Sequence, residues 1–80
     1  MRTLTRAEVE ELGAVVADFE RRRRAARPFP GLLEAIPGRV ARLLLELGWR
    51  VDDTGAWVSP RDGRAHPWLA AVEEELARAR

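Results

Sequence analysis

His66 is the only imidazole in this chain, and it stands four residues after Asp62 and directly before Pro67. An imidazole near a carboxylate is the smallest set that can move a proton or begin a metal site. The remaining parts of either chemistry are missing from the sequence. Cysteine is absent, and the hydroxyl residues Thr3, Thr5, Thr54 and Ser59 lie in no nucleophile motif. A metal would have to take His66 with carboxylates such as Asp62, without a recognisable ligand spacing. His66 therefore reads as a residue leading into a helix, Asp52 and Asp53 read as turn formers, and no catalytic residue, metal or cofactor is expected.

Binding chemistry is better represented. Arg21, Arg22, Arg23 and Arg24 are consecutive and Arg27 follows. Clustered guanidinium groups raise the local potential and neutralise phosphates, and the same groups at a helix end offset the helix dipole. Composition tempers the signal. All fourteen cationic residues are arginine, while lysine, asparagine, glutamine, tyrosine and cysteine do not occur. That pattern points to GC-rich coding DNA, as in a high-GC bacterium or phage, and it also fits a heat-adapted source. Net charge is only +1, but it is uneven: residues 1 to 19 sum to −2, residues 20 to 64 to +4 and residues 65 to 80 to −1. The basic middle favours a nucleic-acid partner more than the total does. Of the three tryptophans, Trp49 and Trp68 are expected in the core, and Trp57 is the one placed to stack on a base or anchor an interface.

The elements that must hold these residues follow from pattern. Eighty residues make one small domain, and without cysteine it has no disulfide to staple it. No apolar run approaches a membrane span, so a cytoplasmic protein is expected. Thr5 and Glu8 form a capping box and Leu4 with Val9 a hydrophobic staple, so the first helix starts at Thr5. Val9, Leu12, Val16 and Phe19 give it an apolar stripe, and Gly13 inside it invites a close backbone crossing. The stripe is long for a chain with so few elements to cover it, which makes it a candidate dimer interface. Past Phe19 the stripe fails, since Glu20 to Arg24 are all charged, and Pro28 ends the run.

Pro28, Pro30 and Gly31 mark a connection. Leu32, Leu33 and Ile36, then Val40, Leu43, Leu44 and Leu47, keep one helical phase, with Pro37 either kinking one helix or opening a second; two segments are preferred. Gly48 ends the helix. Residues 49 to 51 and 56 to 59 read as a hairpin. A four-residue loop would pair Val51 with Ala56 and Trp49 with Val58, putting these four on the core face and Arg50 and Trp57 outside; a three-residue loop would turn Trp57 inward. Residues 60 to 63 form a second turn. The last helix begins near Pro67, buries Trp68 or Leu69, Val72, Leu76 and Ala79, and carries residues 73 to 75 mainly on its other side.

The run Pro37, Gly38 and Arg39 opening a helix that stops at Gly48 and enters a hairpin tipped by Asp52 to Gly55 resembles the second half of a winged helix-turn-helix domain, over roughly residues 31 to 59. The resemblance implies that Arg39 and Arg42 face a DNA groove and that Arg50 or Trp57 makes wing contacts. The chain departs from that pattern in its acidic wing tip and in a preceding segment, residues 31 to 36, that is short for a helix. The expected architecture is a helix-rich α+β domain in the order helix, short helix, helix, β-hairpin, helix. The expected role is non-enzymatic binding, either as a small nucleic-acid-binding regulator or as a protein interaction or homodimerising module.

Overall fold

The computed structural model describes residues 2–25 and 36–80. Among them the chain forms α1 (Arg6–Ala25), α2 (Gly38–Glu46), β1 (Arg50–Val51), β2 (Trp57–Val58), β3 (Ala65–His66) and α3 (Trp68–Ala79). This is a small α+β domain, with the helix, helix, hairpin, helix order the pattern implies. The short helix expected before Pro37, and the connection at Pro28, Pro30 and Gly31, lie outside the described residues.

The first helix is nucleated by the capping box. Thr5 Oγ1 accepts from the Glu8 amide at 3.2 Å, and Glu8 Oε1 accepts from the Thr5 amide at 2.9 Å, so two otherwise unpaired amides are satisfied. Leu4 is buried and Val9 packs on the same core, as a staple would require. Helix α2 begins directly after Pro37, whose dihedrals of −60° and 140° place it at the cap rather than within a kinked helix. Its end is a Schellman turn: the Trp49 amide reaches Leu44 O at 3.0 Å and the Gly48 amide reaches Leu45 O at 3.1 Å, with Gly48 at φ 101°. Glycine is needed there because an L side chain at that φ clashes with its own backbone.

The hairpin takes the three-residue loop. Asp52 N donates to Ala56 O at 2.9 Å, leaving residues 53 to 55 as the loop with Gly55 at φ 87°. Asp52 selects it by accepting at one oxygen from Thr54 N, Thr54 Oγ1 and Ala56 N. The register is Arg50 with Val58 and Val51 with Trp57, one residue away from the four-residue alternative. Trp57 and Val51 therefore lie on the faces opposite to those the four-residue loop would give them, while Trp49 stays buried and Arg50 exposed. Trp57 is buried, at 4% exposure, and Val51 is half exposed.

A third strand was not evident in the pattern. The second turn carries β3 back antiparallel to β2, pairing Trp57 with His66 and Val58 with Ala65 in the order β1-β2-β3. Ser59 and Asp62 build that turn, accepting at their side chains from the amides of Arg61 and Arg64. The core lies between the sheet and the helices and contains Leu12, Leu43, Leu44, Leu47, Trp49, Trp57 and Val72. Trp68 packs against it, partly buried, and meets the Phe19 ring edge-on at 4.9 Å.

Two expectations are corrected. Gly13 is not at a close crossing, since a Cβ built there would meet nothing within 4 Å. Glu75 is not on the outer side of α3: it is 4% exposed, among the core residues Ala71, Val72 and Leu76. Helical phase alone puts position 75 beside 72 and 76, and the charge is tolerated because the Trp49 indole and Arg61 supply donors.

Candidate functional site

Three arginines are taken up by the fold, whereas others, Arg6, Arg64, Arg78 and Arg80 among them, are exposed and form no ion pair among the described residues. Arg2 bridges Glu8 and Glu46, each at 2.7 Å, and so ties the start of α1 to the end of α2. Hydrogen bonds to these two carboxylates raise its pKa, and in return the Arg2 hydrogen bond, helped by the Thr5 amide, holds the Glu8 carboxyl at about 2. Arg39 sits on Glu11 at 3.0 Å, its pKa raised by that hydrogen bond. The first turn of α2 is thereby fastened to the second turn of α1. Arg61 donates to Glu74 at 2.6 Å and to Glu75, and its guanidinium lies 5.8 Å from the Trp49 ring centre. Burial opposes its charge, and the bonds to Glu75 and Glu74 outweigh that and leave its pKa raised.

Arg24 at the end of α1, Arg42 on α2 and Arg50 on β1 are likewise exposed and form no ion pair among the described residues. Arg21 is exposed with Asp18 only at 3.8 Å, whereas Arg22 pairs with the same carboxylate at 2.9 Å and lies 5.8 Å from the Phe19 ring centre. The side chain of Arg23 lies outside the described part of the chain, as does Arg27. These cations come from three elements of the basic middle segment, and phosphate contact is the chemistry available to them.

The residues picked out from the sequence are thus separated by the fold. Arg42 and Arg50 are presented outward, Arg39 is held by a carboxylate, and Trp57 is in the core, where it cannot stack on a base. Of the α1 stripe, Leu12 and Phe19 are buried and Val9 and Val16 are partly buried against the core. Two features were missed. The Trp49, Glu75, Arg61 and Glu74 network clamps the second turn onto α3, and a run of three glutamates on an amphipathic helix was the signal that one of them must face inward. Leu45 and Val51, 55% and 50% exposed, are apolar side chains left in water at the end of α2 and on β1. Val51 was misplaced by the loop choice, and Leu45 stands out only once Leu43, Leu44 and Leu47 are known to fill the core.

His66 Nε2 is shut away from solvent, without a hydrogen-bond partner among the described residues and 3.9 Å from Asp62 Oδ1, and the ring meets Trp49 edge-on at 5.8 Å. No group of three or more metal-ligating side chains occurs among the described residues, and none of their helices is long and apolar enough to cross a membrane. No family model, curated protein or solved structure matches the chain.

Proposed function

We propose that the chain is a non-enzymatic binding module that holds a nucleic-acid backbone through Arg42 and Arg50, with Arg21 and Arg24 of α1 assisting. The observation that carries the reading is the division among arginines: Arg2, Arg39 and Arg61 serve the fold, while arginines of α1, α2 and β1 stay exposed in a segment of net charge +4. The helix-to-hairpin order supports it as well, because it sets Arg42 and Arg50 on either side of one tight turn. The inward Trp57 removes the base-stacking contact from the proposal, and the Glu11 ion pair occupies Arg39. What is left is backbone recognition, tolerant of sequence.

Duplex binding measured by anisotropy at low and at physiological salt tests the proposal. Affinity is expected to fall steeply with salt, because neutralised phosphates release counterions. No binding to any duplex or single strand at low salt and micromolar protein overturns it. Exposed Leu45 and Val51 favour a second reading, a protein partner docked at the α2 to β1 junction. Its mark is binding that changes little with salt, since apolar contact is not screened.

A further inference from the structure

Between α1 and α3 runs a groove of about 200 Å³ lined by Gly13, Val16, Glu73, Leu76, Ala77 and Arg80. Its lining is mixed, apolar at Gly13, Val16, Leu76 and Ala77 and charged at Glu73 and Arg80. Its rim carries Glu73 and Arg80, both exposed and neither in an ion pair among the described residues. Arg80 caps the end of α3 seven residues after Glu73, about 10 Å along the axis and too far for the two to pair with each other. Gly13 leaves the α1 side of the groove open, where a Cβ would meet nothing within 4 Å.

From this pattern we infer that the groove is the contact face of a weak homodimer in which the α3 helices of two copies cross antiparallel about a two-fold axis between Leu76 and Ala77. The order of residues along the helix dictates the arrangement. When a helix pairs with its own copy in the opposite direction, positions equidistant from the centre face each other. About that centre Glu73 meets Arg80 of the second copy and Arg80 meets its Glu73, while of the two positions flanking the axis Ala77 is the exposed one and Leu76 stays in its own core. Both unpaired rim charges thus find opposite charges, twice over, and the small residues Gly13 and Ala77 allow close approach. A partner of one charge sign would leave Glu73 or Arg80 against a like charge, which disfavours an acidic or a basic peptide. The face is small, so the complex belongs to the readily dissociating class, below roughly 1,200 Å² of buried surface. The inference does not depend on nucleic-acid contact.

The test is sedimentation equilibrium of the parent chain from low to high micromolar concentration, with Glu73→Arg, Arg80→Glu and the double variant run alongside. Both positions are exposed, and circular dichroism checks that each variant remains folded. Each single reversal places like charges together at both symmetry-related contacts and should raise the dissociation constant roughly tenfold or more. The double reversal should restore association, because it exchanges the two signs. A parent that stays monomeric throughout overturns the inference, and so does a dimer indifferent to both single changes, whose contact face must lie elsewhere. Single variants that dissociate without rescue by the double variant overturn the antiparallel two-fold. Rescue is the supporting outcome.

Discussion

Glu75 is a carboxylate almost without water, and such a group is kept only where donors replace the lost solvent. Trp49 Nε1 donates to it at 2.7 Å and Arg61 supplies the opposing charge. Removing Arg61 would strand the carboxylate against the indole. Arg61→Ala should therefore lower unfolding free energy by about 2 kcal/mol, below the 3 to 5 typical of a fully buried pair because the Arg61 side chain is itself a quarter exposed. Glu75→Gln keeps an acceptor for the indole and should cost less than Arg61→Ala. In the double variant the two losses should not add, since no charge is left stranded; additive losses in urea unfolding would contradict the coupling. Glu8 makes a separate prediction, in pH. Its carboxyl sits at about 2 in the fold, below the ordinary 4.5, so the stability it contributes is full above about 4.5 and fades as pH falls from there towards about 2. Glu8→Ala should cost about 1 kcal/mol at neutral pH through the lost cap, and the gap to the parent should narrow steadily as pH drops below 4.5. A gap of constant size between pH 7 and pH 3 would show that the charge contributes nothing.

At the scale of elements, helix termini and the apolar helix stripes were legible and the strand faces were not. The capping box at Thr5 and Glu8, the stop at Gly48 and the start after Pro37 are each set by backbone chemistry within a few residues, which a sequence displays directly. Side-chain direction in the hairpin hung on one residue of loop length, and what decided it was the Asp52 carboxylate accepting three hydrogen bonds, a choice invisible to apolar alternation. Strand β3 is only two residues long and is paired through a turn, so it carries no periodicity of its own. The site suffered most from this, because Trp57 changed face and the free arginines could be separated from the structural ones only when their carboxylate partners were known. Gly48 is where element geometry is most exposed to a single change. Gly48→Ala should cost about 1 to 2 kcal/mol, the strain of a left-handed L residue. Trp49→Ala should cost about 3 to 5 kcal/mol, enough to unfold a domain this small. Thermal melts that leave either variant within error of the parent would remove the turn, or the tryptophan, from the account of the fold.

On the whole molecule, a net charge of +1 produces little long-range attraction, so a nucleic acid must be held by close contacts rather than steered from a distance. That limits the size of the salt effect and ties it to named residues. Each phosphate contact contributes roughly 0.9 to the slope of log affinity against log salt on duplex DNA. If Arg42 and Arg50 each make one, the double variant Arg42→Ala with Arg50→Ala should reduce the slope by about 2, and about equally for unrelated sequences, because phosphates carry no base information. Neither side chain makes an ion pair among the described residues, so unfolding free energy should stay within about 0.5 kcal/mol of the parent. Arg61→Ala is the contrasting control: it weakens the fold through Glu75 and, at temperatures where the variant remains folded, should leave the salt slope unchanged. A slope that falls with Arg61 and is indifferent to Arg42 and Arg50 would place the phosphate contacts on the second turn and α3, and would reverse the division between structural and binding arginines.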